Sequence, residues 1–273
     1  ADRRIEFSQI LISLPIIMRF AIIVFLWWVE VDDYLYYFLC SYLFVGLISF
    51  AVAHYTSNER LPPLYRWRLP RMEDLQRGSS FALLNFVYIA TNEVDKVLAV
   101  KLVSPSAAGM YAAGMRVVGA IVLPVAALIV SAMPRLFRQE AGNNVLIKWV
   151  FASSAIYGAF VMLLIWWGSD VFEVLLGEGY GGIGNILAFM SIIVPGLALR
   201  FAASNILMTQ GLAWFRLIYE LCGILMICVL FVVLGGSYGL KGLVTAVAIT
   251  EWTMALSGWI LIFLRRSATT QQG

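Results

Sequence analysis

Long apolar runs alternate with short polar connectors from one end of the chain to the other. About eight of them reach the roughly 20 residues that a bilayer-crossing helix needs, at 7–29, 34–56, 78–102, 106–133, 146–168, 183–209, 213–235 and 241–264. The runs are continuously apolar. A membrane-barrel strand would instead alternate apolar and polar over about ten residues. The pattern therefore predicts an all-α, polytopic helix bundle. Pro15, Pro124 and Pro195 fall inside three of the runs. Each removes a helix hydrogen bond and predicts a kink, serving either as a hinge or as static packing. Ala107, Ala108, Gly109, Ala112, Ala113, Gly114 and Gly119 crowd the fourth run and predict close helix approach.

The connectors set an orientation. Arg60, Arg66, Arg68, Arg71 and Arg77 lie between the second and third runs, the bias of a cytoplasmic loop. Arg3 and Arg4, then Arg135, Arg138 and Lys148, and finally Arg265 and Arg266 fall on the same side by alternation. Glu30, Asp32, Asp33, Asp170, Glu173 and Glu178 fall on the other side. Both the start and the C-terminus are thus expected inside. Trp27, Trp28, Trp166 and Trp167 sit at outer ends as interface anchors.

Composition agrees. The 273 residues are 62% hydrophobic and 13% charged, against about 25% charged in a soluble domain, with a mean hydropathy of +0.87. So few charges do not cover a water-facing surface of this size, and the chain reads as an integral membrane protein. The net charge of +3 comes from inter-span loops and points to no nucleic-acid partner. Cys40, Cys222 and Cys228 have no metal spacing, and His54 is the sole histidine, so no metal or cofactor is implied. The run Gly177 to Gly182 matches G-x-G-x-x-G, but it follows no strand and is not read as a nucleotide site.

Asp95 to Arg138 reads DKVLAVKLVSPSAAGMYAAGMRVVGAIVLPVAALIVSAMPRLFR. An Asp in one span, a short outer turn, Gly109-x-Tyr111 with Arg116 following, and a later Pro134-Arg135-Leu136 resemble the polysaccharide (O-antigen) flippase branch of the MOP exporter superfamily. The outer Leu175 to Tyr180 segment and the arginine loop fit the same likeness. The resemblance implies a MATE-like architecture of two six-helix lobes. Residues 1–57 would be the last two helices of the N-terminal lobe, 58–77 the cytoplasmic basic inter-lobe loop, and 78–273 the six-helix C-terminal lobe. About four upstream helices would then be absent, and the chain opens on Ala1. The implied activity is to flip a polyprenyl-diphosphate-linked oligosaccharide, an O-antigen or exopolysaccharide repeat, across a bacterial inner membrane by alternating access. No bond would be made, so no enzyme is expected. The implied partners are the lipid-linked oligosaccharide, membrane lipids and a coupling ion, proton or sodium.

Ionisable groups inside spans cost about 2.5–3.5 kcal/mol on insertion scales and face a cavity or a partner. Arg116 lies about 15 Å into its span at 1.5 Å per residue, near the midplane, as do Glu251 and Arg19. Asp95 lies on the preceding helix at comparable depth. Two readings stand together. In one, Asp95 and Arg116 form an ion pair that locks the hairpin. In the other, Arg116, Arg200 and Arg19 line a cationic cavity and bind diphosphate through forked guanidinium groups, while Glu251 and Asp95 couple to the ion. Glu251 paired with a lobe arginine is the alternative for that residue. Arg216 and Glu220, spaced i, i+4, read as a helix pair. Asn85, Asn92, Asn205 and Gln210 serve packing or sugar hydroxyls. The rival functions are a MATE-type drug or cation exporter, whose cavity would be acidic, a membrane-embedded polysaccharide polymerase or acyltransferase, for which no catalytic constellation appears, and an assembly protein.

Overall fold

The computed structural model describes residues 14–15, 17–26, 28–29, 34–56, 72–137, 143–176, 181–209 and 213–270. Apart from short turns these residues are helical, and no strand occurs among them. Arg60, Arg66, Arg68, Arg71, Arg3, Arg4, Glu30, Asp32, Asp33, Arg138, Glu178, Trp27 and Gln210 lie outside the described residues. So do the side chains of Arg77, Asn85, Asn92, Arg265 and Arg266. The helices are α1 (Ile17–Leu26), α2 (Tyr34–Thr56), α3 (Met72–Leu102), α4 (Pro105–Phe137), α5 (Asn143–Leu176), α6 (Ile183–Met190), α7 (Ile193–Thr209), α8 (Ala213–Leu230) and α9 (Gly236–Thr270). One π-helical turn, Phe231–Gly235, joins α8 to α9.

The chain forms two compact units, Ala1–Arg71 and Met72–Gly273. The first carries α1 and α2. There the guanidinium of Arg19 stacks 4.0 Å from the centroid of the Tyr42 ring. A cation over an aromatic face is attracted by the ring quadrupole.

The second unit carries α3 to α9. Three of its stretches are long and apolar enough to cross a membrane: Pro105–Phe137, Val145–Val174 and Trp214–Leu264. The last holds 51 residues. As one straight helix it would run about 77 Å, more than twice the hydrocarbon core. Gly239, at φ 56° and ψ −135°, reverses it. Residues symmetric about this turn meet: a Cβ on Gly223 would lie 3.1 Å from Met254, and one on Gly235 2.6 Å from Leu243. Tyr219 donates to the Met254 carbonyl. The stretch is thus an antiparallel hairpin of two spans, as the runs 213–235 and 241–264 predict. The chain is a multi-pass membrane protein.

The run at 183–209 is two helices bent by 44°. Pro195 explains where. A proline at 195 has no N–H for the Ser191 carbonyl, and its ring crowds that carbonyl. The helix therefore breaks at Ser191–Ile192 and restarts with Pro195 in the first turn of α7, where its missing N–H has no intrahelical role. Val194 N–H bonds the Ser191 carbonyl at 3.1 Å. Pro124, by contrast, is carried inside a continuous α4. The Tyr157 hydroxyl donates to the Ile121 carbonyl at 2.7 Å, beside the Ala120 carbonyl that Pro124 leaves without its N–H partner, and ties α5 to α4 at the proline. At the start of α4, Ser104 accepts from Ala107 N–H at 3.3 Å and Pro105 takes the first helical position.

One face of α4, from Ala108, Tyr111 and Gly114 through Val118, Val122, Val125 and Ile129 to Leu136, is buried at steps of three and four. The small residues have separate duties. Gly114 lies against Met190 of α6, where a Cβ would collide with the thioether, while Gly109 and Gly119 have nothing within 4 Å.

Candidate functional site

α7 is buried along nearly its whole length and packs on α4, α5, α8 and α9. Glycines set two of its close approaches to neighbouring helices. A Cβ on Gly158 of α5 would lie 2.7 Å from the Pro195 Cα, and one on Gly196 would lie 3.2 Å from the Trp252 backbone nitrogen and 3.3 Å from the Glu251 Cβ. Absence of a side chain at Gly196 therefore brings α9 against α7, one helical turn from Arg200. Trp252 and Trp259 clasp the pair by donating their indole N–H groups to the carbonyls of Ile192 at 2.9 Å and Leu199 at 3.0 Å.

The result is a buried ion cluster. Arg200 Nη1 donates to Glu220 Oε2 at 3.0 Å, and its Nε lies 2.7 Å from Glu251 Oε2. The second contact is close in distance, but the N–H is not aimed at the oxygen. Ser204 donates to the other Glu220 oxygen at 2.6 Å. Arg200, Glu220 and Glu251 are 6%, 3% and 6% exposed. One guanidinium thus answers two carboxylates from different helices. Of the readings open for Glu251, the structure has the pair with a lobe arginine. Both Glu220 oxygens turn to α7, and the nearby Arg216 donates to Met208 Sδ at 2.8 Å. The i, i+4 pair read from the sequence is not what engages Glu220.

A third buried carboxylate lies outside this cluster. Asp95 on α3, 3% exposed, accepts from the Tyr111 hydroxyl at 2.6 Å and from Lys96 N–H at 2.8 Å. Lys96 Nζ bridges Glu93 at 3.3 Å and Asp95 at 3.8 Å. Tyr111 is fully buried and held edge-on against Phe231 of the π turn, with centroids 5.9 Å apart. The α3–α4 hairpin is therefore locked by a tyrosine–aspartate bond rather than by Asp95 with Arg116. Tyr111 and Arg116 are five residues apart, about 140° around the helix at 3.6 residues per turn, so one faces the core and the other does not.

Arg116 instead borders a cavity of about 280 Å³ between α3, α4, α7, α8 and α9. It makes no ion pair with any described residue. Asp95, Arg200 and Glu251 line the same cavity, along with Glu93 and Lys96. Four of the five residues singled out from the sequence thus converge. Arg19 belongs to the first unit. The lining of this cavity is mixed in charge: three carboxylates (Glu93, Asp95, Glu251) and three cations (Lys96, Arg116, Arg200), and Arg200 is already held by Glu220 and Glu251. Sequence reasoning missed Tyr111 and Ser204 as partners and assigned Glu220 to Arg216 instead of Arg200. Tyr111 stood in the flippase-like motif, and Glu220 stood out as a carboxylate inside a span. Among the described residues no group of His, Cys, Asp or Glu is arranged to hold a metal.

No protein-family model matches the chain, and no curated protein matches it in sequence. Among solved structures, the chain is similar to a crystal structure of a MATE point mutant, with a TM-score of 0.68 and 13% sequence identity over 96% of this chain. At that identity the likeness shows the fold, a MATE-type helix bundle. The chain spans 62% of the length of that protein.

Proposed function

We propose that this chain is part of a MATE-fold transporter that moves a polyprenyl-diphosphate-linked oligosaccharide from the inner to the outer leaflet of a bacterial inner membrane. Residues 1–57 would belong to one lobe, 58–77 to the cytoplasmic link and 78–273 to the other lobe, with the C-terminus inside. The observation that carries the reading is Arg116, a guanidinium that borders a cavity of the second unit and makes no ion pair with any described residue. An arginine forks onto phosphate oxygens and stays charged at any working pH. The resemblance of Asp95 to Arg138 to the flippase branch supports the same substrate class. Arg200 acts as the counter-ion that holds Glu251 in place, and Glu251 and Asp95 are the carboxylates offered to a coupling proton or sodium ion. Alternating access would come from rocking of the lobes.

A second reading, export of cationic drugs, is favoured by Glu93, Asp95 and Glu251, which give the cavity as many carboxylates as cations. The test uses the intact transporter in cells lacking their own flippase and asks which leaflet holds the lipid-linked oligosaccharide. The expected result is outer-leaflet accumulation that Arg116→Ala lowers at least tenfold and Arg216→Ala lowers little, at equal membrane abundance. A tenfold loss corresponds to about 1.4 kcal/mol, within the range of one charge-assisted phosphate contact. Equal activity of the two variants removes Arg116 from the site. Retention on the inner leaflet across several sugar repeats shifts the reading to drug export.

A further inference from the structure

A second cavity, about 400 Å³, lies between α4 and α5, away from the site above. Leu128, Ser131, Ala132 and Arg135 form one wall, and Leu146, Trp149, Val150 and Ser153 the other. Each set is spaced i, i+3, i+4, i+7, so each wall is a single helical stripe two turns long. The walls are less polar than their composition suggests. The Ser131 hydroxyl donates to the Leu128 carbonyl at 2.7 Å, and the Ser153 hydroxyl to the Trp149 carbonyl at 2.7 Å. Both serines spend their protons on their own helices.

What remains is an apolar slot with one cation at one end. Arg135 makes no ion pair with any described residue, and no carboxylate lines the slot. Trp149, at its mouth, is 68% exposed, the placement of an interface-seeking indole. Arg135 sits about 10 Å along the helix axis from Leu128. A headgroup phosphate on the arginine would therefore leave an acyl chain lying against Leu128, Leu146 and Val150. We infer that the α4–α5 groove is a binding site for an anionic phospholipid, with Arg135 on the phosphate and the apolar stripes on a tail. Charge complementarity chooses this occupant. A polar solute would find both wall hydroxyls already donated to their own helices, and a zwitterionic lipid would bring its own cation to Arg135. Basic pockets between membrane helices bind anionic headgroups in this way.

The experiment measures lipids retained by the full chain, purified in detergent, using native mass spectrometry after addition of phosphatidylglycerol or phosphatidylcholine. One basic side chain near a membrane surface contributes about a fivefold change in affinity. Phosphatidylglycerol should be retained in preference, and Arg135→Gln should weaken its retention about fivefold. Lys148→Gln removes the same charge from the same end of the hairpin but outside the groove, and should change retention less than twofold. Ser131→Phe fills the slot from an exposed position and should match Arg135→Gln without touching a charge. Inorganic phosphate at millimolar concentration should not compete, because the tail contributes to binding. Equal losses in the Arg135 and Lys148 variants would mean diffuse surface attraction and overturn the site. Equal retention of the two lipids by the unaltered chain would overturn it as well, as would displacement by inorganic phosphate.

Discussion

Replacing Arg200 by methionine removes the sole cation of the buried cluster and leaves Glu220 and Glu251, 3% and 6% exposed, facing each other. At an effective dielectric of about 20, each carboxylate loses an attraction on the order of 4 kcal/mol at 4 Å. Part of that is recovered when the orphaned groups take up protons or draw in water, and removing one partner of a buried pair costs about 3–5 kcal/mol in practice. For a unit of about 200 residues, 1 kcal/mol moves the melting temperature by about 2–4 °C. Arg200→Met should therefore lower Tm by roughly 6–20 °C, read by tryptophan fluorescence during heating in one detergent. Glu251→Gln should do far less. It removes the excess negative charge and leaves Arg200 with Glu220 as a one-to-one pair, at 3.0 Å. The triple variant Arg200→Met, Glu220→Gln, Glu251→Gln carries no buried charge in the cluster and should recover most of the loss, because a buried ion group swapped whole for neutral residues is often tolerated. Equal Tm values for Arg200→Met and Glu251→Gln would refute the assignment of Arg200 as the shared counter-ion. A triple variant no better than Arg200→Met would show that packing, not charge, sets the cost.

Gly158→Leu should destabilise by about 1–3 kcal/mol or more, since its Cβ meets the Pro195 backbone, which has no room to yield. Gly109→Ala, with nothing within 4 Å, should be neutral or gain up to about 1 kcal/mol of helix propensity. A Gly158 variant as stable as the Gly109 variant in the same melt would show that the α5–α7 crossing is looser than described. Tyr111→Phe leaves buried Asp95 short of its hydroxyl donor and should cost about 1–3 kcal/mol. A Tm unchanged within 1 °C would mean that the Asp95–Tyr111 bond does not hold the α3–α4 hairpin.

Most of the architecture was legible along the chain because lipid imposes a coarse, local rule. A backbone crossing hydrocarbon must bond to itself, so each span is a continuous apolar helix. The run at 34–56 coincides with α2, and the reversal between 235 and 241 falls at Gly239. Helix ends were less legible. α3 begins at Met72, ahead of 78, because Met72, Glu73, Leu75, Gln76 and Arg77 are good helix formers, and a hydropathy window does not count the polar ones. The break in the sixth run was announced by Pro195, but the chain opens upstream at Ser191–Ile192. A proline disturbs the turn before itself, not its own position.

The site divides the same way. The sequence alone determined which residues carry charge into the membrane, because such residues are rare enough to stand out against an apolar background. Arg116, Arg200, Glu251 and Asp95 were found that way. Which charge answers which was decided only by the tertiary structure. Arg200 meets Glu251 because Gly196 has no side chain to hold α9 away, and Asp95 meets Tyr111 because the two lie on facing stripes of an antiparallel hairpin. Arg116 is left for the cavity because it lies about 140° around α4 from Tyr111. A periodic pattern fixes each helix's faces, but pairing depends on the rotation and approach of several helices together, and small residues spread along the chain set those distances.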